Sequence, residues 1–102
     1  MSTAKIAAVN FETSGDKIAN RTKMIDFITQ AAEQNCDLIV FPEESLTGIG
    51  EKGFAVVSPE DKKSIHDNSE LVPEGESTQI FMELARKHDM YICWGMGERD
   101  PE

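Results

Sequence analysis

Apolar residues along this chain follow two different patterns. Mostly apolar runs occupy residues 4–11, 38–41 and 90–95. Runs of this length predict β-strands, and the first two have the composition of parallel strands covered on both faces. Between them, residues 17–34 carry apolar side chains three, four and seven positions apart. That spacing predicts an amphipathic helix.

Polar start signals predict where the helices begin. The turn at residues 13–16 precedes the first helix. Ser58, followed by Pro59, opens a short helix that ends near His66. A longer helix is capped by Ser77, and its apolar face consists of Ile80, Phe81, Leu84 and Ala85. The order β-α-β-(short α)-α-β predicts an α/β fold with a parallel sheet and right-handed crossovers.

Length and composition fit one small soluble domain. The 102 residues are 39% hydrophobic and 28% charged, as in ordinary globular chains. No apolar run approaches the length of a membrane span, and the first residues lack the features of a signal peptide. We therefore expect a cytoplasmic protein.

Charge and spacing exclude several kinds of partner. The net charge is −9 without any cluster of Lys or Arg, so neither nucleic acid nor a membrane is an expected partner. His66 and His88 lack neighbours at metal-ligand spacing, and we expect no metal or organic cofactor.

Residues 48–53 loosely resemble a phosphate-binding loop but lack its Gly-Lys-Ser/Thr ending. Lys62 and Lys63 are expected on a solvated helix face.

The two cysteines are expected to be reduced, buried core residues rather than nucleophiles. Cys36 precedes the second strand and Glu43 follows it, so roughly 20 Å of extended chain separates them. Cys93 lies inside an apolar strand, without the positive charge or helix start that activates a thiol.

The most informative segment is the second apolar run, which ends abruptly in Pro42, Glu43 and Glu44. Ligands of α/β folds bind at the carboxyl ends of parallel strands. A carboxylate held beside apolar walls at such an edge can have its pKa raised and act as a general base. Glu43 is therefore the candidate catalytic residue. Glu44 is expected to be a surface acid, or a neighbour of the site that takes no part in the reaction.

Four pieces in order resemble the N-terminal part of the nitrilase superfamily, the carbon–nitrogen hydrolases. They are residues 5–9 followed by Gly15, Asp16 and Asn20; residues 37–43 followed by 46–48; residues 72–75; and residues 84–85 leading into 90–95, followed by Glu98 and Arg99. The resemblance implies an α-β-β-α sandwich of two sheets in proteins well over twice this length. Residues 1–102 would then be a single, incomplete domain.

The resemblance also implies a chemistry. In that family a Cys thiolate attacks a nitrile or amide carbon, a Glu acts as general base, and a Lys stabilises the tetrahedral species. Only the Glu maps onto this chain, at Glu43, and we expect the Lys and the Cys beyond Glu102. Asn10 and Ile49 depart from the family's usual Gln and aromatic residue. Trp94, at the end of the third strand, is a secondary candidate for shaping the substrate pocket.

The expected function is hydrolysis of a non-peptide carbon–nitrogen bond in a small-molecule amide, carbamoyl compound or nitrile. The isolated chain is expected to be inactive. It is also expected to associate with itself, as a homo-oligomer, or with a missing C-terminal segment. Two alternatives stay open: a stand-alone binding or assembly module derived from the same fold, and a small flavodoxin-like domain that binds a phosphate ligand.

Overall fold

A computed structural model describes residues 2–48 and 58–101, with only the backbone of Asp61. The described residues form three strands and three helices, which confirms the α/β class. In chain order they are β1 (Ile6–Ala8), α1 (Lys17–Glu33), β2 (Leu38–Val40), α2 (Pro59–Asn68), α3 (Glu76–His88) and β3 (Tyr91–Cys93). Each strand is shorter than the apolar run that predicted it, although residues beside the strands continue the pairing, as in the bond from the Val9 amide to the Val40 oxygen at 2.9 Å.

The sheet has the order β1-β2-β3, and both pairs are parallel, as predicted. Its register aligns three rows of residues across the strands: Ile6 with Leu38 and Tyr91, Ala7 with Ile39 and Ile92, and Ala8 with Val40 and Cys93. Side chains of a strand alternate between its two faces. The middle row therefore faces one side of the sheet, and the two outer rows face the other.

The core lies on the side of the middle row. Ile39 is fully buried there together with Met24 and Ile28 of α1 and Phe81 of α3, and Ala7 and Ile92 pack against this cluster. Burying a large apolar side chain stabilises a fold by about 1.5–3 kcal/mol. This cluster therefore holds both helices against the sheet.

The opposite face of the sheet is open in the described residues. Ile6 is 57% exposed and Tyr91 is 79% exposed. The prediction that β1 is covered on both faces is therefore wrong for the part of the chain that the structure describes, because α1 and α3 both pack on the middle-row side. In β2 the residues on the open face, Leu38 and Val40, are half-buried. Cys93 is exposed, so its prediction as a buried core residue is also wrong, and Cys36 is only half-buried.

Two of the three described helices begin where the sequence predicts. Asp16 caps α1, and its side chain accepts a hydrogen bond of 3.1 Å from the Ala19 amide. The α2 helix begins at Pro59 as predicted and continues slightly past His66. The predicted cap of α3 is wrong: Gly75 is the N-cap residue, and Ser77 lies within the first turn. No helix in the described ranges has the length and apolar character needed to cross a bilayer.

Candidate functional site

Glu43 stands at the carboxyl end of β2. The Phe41 amide still donates to the Cys93 oxygen at 2.9 Å, which continues the pairing with β3 beyond the ladder. Residues 43–47 then turn, and the Glu43 side chain is exposed. The structure thus places the predicted residue at the sheet edge where ligands of α/β folds bind, on a turn built against the end of β3.

Gly95 allows this turn to lie directly on the end of β3. A Cβ atom at Gly95 would lie 2.4 Å from the Glu44 nitrogen and 3.1 Å from the Glu43 Cα. No side chain fits into that space, so the backbone of Glu43 can approach the third strand only because residue 95 is glycine.

Ser45 and Leu46 bond the same glycine. The Ser45 hydroxyl accepts from the Gly95 amide at 3.2 Å and donates to the Gly95 oxygen at 3.4 Å. The Leu46 amide donates to the Gly95 oxygen at 3.0 Å. Both residues are fully buried. The turn is therefore attached to the sheet by main-chain and side-chain bonds immediately after Glu43.

Glu44 adopts the left-handed conformation, with φ of 53°. Its main-chain oxygen accepts from the Gly48 amide at 2.7 Å. Its half-buried carboxylate accepts a hydrogen bond from the Thr47 hydroxyl, and that hydroxyl accepts from the Gly97 amide at 3.1 Å. The carboxylate of Glu44 is thus part of the scaffold of the turn.

Asn20 fastens the turn from the helix side. This side chain of α1 is fully buried, and its amide nitrogen donates to the Ser14 oxygen at 2.8 Å and to the Leu46 oxygen at 3.0 Å. Its oxygen accepts from the Ser14 amide at 2.9 Å. Gly48 has φ of +76°, and a Cβ there would lie 2.3 Å from the Ser14 oxygen. The segment before α1 and the turn after β2 are therefore joined through Asn20.

A second polar cluster lies at the start of α3. The buried carboxylate of Glu70 accepts hydrogen bonds from the amide and the hydroxyl of Ser77 and pairs with Lys17 at 3.1 Å. Burial would raise the pKa of Glu70, but these hydrogen bonds and Lys17 outweigh it and hold the pKa below its ordinary value. Arg21 also donates to the Ser77 hydroxyl, at 3.0 Å. The N-cap residue Gly75 makes no side-chain hydrogen bond to α3, and Glu70 supplies one in its place.

This cluster connects to the end of β3 through the main chain. The Glu70 amide donates to the Gly97 oxygen at 3.2 Å, and the Arg99 amide donates to the Glu70 oxygen at 2.8 Å. Sequence reasoning missed Glu70, because the sequence of a loop before a helix does not reveal whether an acid in it bonds the first turn of that helix. It also missed Ser45 and Thr47, whose partners lie 50 residues away.

Trp94 lies against Phe81, with ring centroids 4.7 Å apart and an interplanar angle of 59°. Its indole nitrogen is buried and has no hydrogen-bond partner among the described residues. The side chain thus contacts α3, and its expected role in shaping a pocket stays a prediction.

The other residues considered from the sequence lie on the surface or in part beyond the described ranges. Lys62 and Lys63 are exposed, and the hydrogen bond from Lys63 holds the pKa of Asp67 below its ordinary value. His66 is exposed and His88 is half-buried. No group of three His, Cys, Asp or Glu residues suited to a metal ion occurs within residues 2–48 and 58–101. The stretch resembling a phosphate-binding loop lies outside the described residues from position 49 onward.

Known proteins resemble this chain over nearly its whole length. The family model described as Carbon-nitrogen hydrolase matches residues 5–102. A nitrilase of Pyrococcus abyssi (strain GE5 / Orsay) is 31% identical over 81 residues, which is 79% of this chain and 28% of the nitrilase. The omega-amidase NIT2 of Bos taurus is 28% identical over 95 residues, 93% of this chain and 30% of the amidase.

A third relative is the aliphatic nitrilase of Rhodococcus rhodochrous. It is 29% identical over 110 aligned positions, 96% of this chain and 28% of the nitrilase. The chain thus spans less than a third of the length of each of these curated relatives.

Proposed function

This chain belongs to the carbon–nitrogen hydrolase family, and on that premise we propose that it is the N-terminal part of an enzyme that hydrolyses a non-peptide carbon–nitrogen bond. The substrate class is a small-molecule amide, carbamoyl compound or nitrile. The relatives, two nitrilases and an omega-amidase, support this range. Residues 1–102 would form one incomplete domain of a cytoplasmic protein.

The observation that carries the proposal is the placement of Glu43. It is the first residue of a turn at the carboxyl end of the central strand, and Gly95, Ser45 and Asn20 hold the backbone of that turn. A general base must be held within hydrogen-bond reach of the proton it removes. A turn that is held at the sheet edge would keep the Glu43 carboxylate in one place, which supports this role.

In the proposed reaction Glu43 accepts the thiol proton of a Cys as the sulfur attacks the substrate carbon. A carbon–sulfur bond forms, and a Lys stabilises the negative charge that develops on the former carbonyl oxygen or nitrile nitrogen. The bond to nitrogen breaks with proton transfer to the leaving ammonia or amine, directly for an amide and after water addition for a nitrile. Water then attacks the thioester, which releases the acid and restores the thiol. We expect the Lys and the Cys outside these 102 residues.

The open face of the sheet supports the proposal that the domain is incomplete. Ile6 and Tyr91 are both large and exposed there, and the two outer rows are apolar apart from the tyrosine hydroxyl. We propose that a second sheet covers this face in an α-β-β-α sandwich. In its absence the same face would drive association of the chain with itself.

The test uses the protein expressed from its complete coding sequence. Ammonia release would be measured with a panel of short amides, carbamoyl compounds and nitriles. Glu43→Gln is expected to abolish turnover while the far-UV circular dichroism and the melting temperature stay unchanged. Glu74→Gln, a change at an exposed loop acid, is the matched control and should retain full activity. Near-normal ammonia release by the Glu43→Gln protein would refute the assignment.

The open sheet face also favours the second candidate, a binding or assembly module without catalysis. In that case the complete coding sequence would give a product of 11.3 kDa, and a partner would bind equally well to the Glu43→Gln protein. A product more than twice that mass, carrying the expected Lys and Cys, would favour the hydrolase.

A further inference from the structure

We propose that Thr47 is a positioning residue for Glu43, acting through the carboxylate of Glu44. The inference rests on the proposed role of Glu43 as general base and adds a further residue that holds the turn in place. Three observations carry it: the backbone conformation of Glu44, the two hydrogen bonds of the Thr47 hydroxyl, and the burial of Thr47.

Glu44 has a backbone conformation that costs free energy for any residue with a side chain. Its φ of 53° lies in the left-handed region, where the Cβ atom approaches the main chain too closely. Such a residue persists where neighbouring bonds hold it in place. Because Glu44 directly follows Glu43, its conformation orients Glu43 relative to the rest of the turn.

The Thr47 hydroxyl holds the side chain of Glu44, whereas the main-chain hydrogen bonds hold the backbone of the turn. It donates its one proton to the Glu44 carboxylate and accepts from the Gly97 amide at 3.1 Å. Thr47 is 1% exposed, so water does not replace these bonds freely. The hydroxyl therefore connects the side chain next to Glu43 with the segment that follows β3.

Removal of this hydroxyl alone should loosen the turn without emptying space in the core. Valine has nearly the shape of threonine but neither bond, and it would leave the Glu44 carboxylate and the Gly97 amide unpaired. Serine keeps both bonds and loses only a methyl group. The pair Thr47→Val and Thr47→Ser thus separates the hydrogen bonds from the packing.

The experiment measures kcat and KM of the complete protein carrying Thr47→Val, Thr47→Ser, Thr78→Val or Glu43→Gln. Thr78 is the matched control, because its buried hydroxyl has no hydrogen-bond partner among the described residues. We expect Thr47→Val to lower kcat by about tenfold or more with KM nearly unchanged, since a small misplacement of a base slows the chemical step. Thr47→Ser should retain most of the activity, and Thr78→Val all of it.

Hydrogen exchange of the same proteins gives a readout independent of turnover. Thr47→Val should speed exchange of the Gly97 amide, and Thr47→Ser should leave it slow. Unchanged Gly97 exchange, or failure of serine to preserve kcat, would overturn the positioning role. An equal loss of kcat in Thr78→Val would overturn it too, as it would indicate a general effect of removing a buried hydroxyl.

The two proposals fail in different ways. Normal turnover by Glu43→Gln refutes the role of Glu43 itself, and the positioning role with it. An inactive Glu43→Gln together with a fully active Thr47→Val refutes only the role of Thr47.

Discussion

The side-chain amide of Asn20 donates a hydrogen bond of 3.0 Å to the main-chain oxygen of Leu46. The two residues belong to the first helix and to the turn after the second strand, and both are fully buried. The same amide group also bonds Ser14. Helix α1 therefore holds the turn that carries Glu43 in addition to covering the sheet.

Asn20→Ala should destabilise the protein by about 2–4 kcal/mol. The change leaves the buried Leu46 oxygen without the donor that it has in the structure, and an unpaired buried group costs about 1–3 kcal/mol in addition to the lost contacts. Urea unfolding followed by circular dichroism measures the effect. Asn10→Ala, at an exposed asparagine, is the control and should change the unfolding free energy by less than about 0.5 kcal/mol. Equal midpoints for the two variants would contradict the role of Asn20.

Gly95→Ala should impair both stability and the candidate site. The added Cβ would lie 2.4 Å from the Glu44 nitrogen, so the turn must move away from β3 at a cost of about 1–3 kcal/mol. Gly15→Ala is the control, because among the described residues its Cβ would meet only the Ser64 hydroxyl, at 3.3 Å. A crystal structure of Gly95→Ala with an unmoved Glu44 backbone would refute the expectation. Turnover of the complete protein should fall in the Gly95 variant alone.

Glu70 should make stability depend on pH in the acidic range. Its pKa in the folded protein lies below the ordinary value of 4.5, so the unfolded chain takes up this proton first as the pH falls. The contribution of Glu70 is then complete above about pH 5.5, one unit above that value. It is lost as the pH falls through 4.5 toward the folded pKa.

The variant Glu70→Gln tests this dependence. It should lower the unfolding free energy at pH 7 by about 1–3 kcal/mol, because charge-assisted hydrogen bonds to Ser77 and the ion pair with Lys17 are lost. Toward pH 3 the difference from the parent protein should shrink. Glu98→Gln, at an exposed acid, serves as the comparison. A gap between parent and Glu70→Gln that stays constant from pH 7 to pH 3 would show that the charge of Glu70 does not matter.

The open sheet face should make the 102-residue chain associate. Ile6 and Tyr91 occupy the same row of that face, and the double change Ile6→Lys and Tyr91→Lys should shift the chain toward monomer in sedimentation velocity. Ile18→Lys removes a comparably exposed apolar residue from α1 and should leave the association unchanged. A wild-type chain that stays monomeric at high concentration would argue against an interface on this face.

The sequence predicted best what depends on neighbouring residues. The turn before Asp16, the helical spacing that begins at Lys17 and the apolar run before Glu43 are local signals, and the structure has a cap, a helix and a strand at those places. These signals were enough to predict a parallel α/β sheet with Glu43 at its edge.

The errors concern contacts that the local sequence pattern does not determine. Ser77 is of a residue type that commonly caps helices, but Glu70 in the preceding loop makes the side-chain hydrogen bond to the start of α3. Cys93 lies in an apolar strand, yet it points to the face that the described helices leave open. The bonds of Thr47 to Gly97 and of Asn20 to Leu46 join segments whose proximity follows only from the folded sheet.

The wide sequence separation of the bonds around the turn also has a kinetic consequence. The bond from Asn20 closes a loop of 26 residues, and those from Ser45 and Thr47 to the end of β3 each close 50 residues. Such closures lose chain entropy before any contact compensates for it, so parallel pairings of this kind form slowly. The carboxylate at position 43 should therefore reach its final place late in folding, after the first helix and both crossovers have formed.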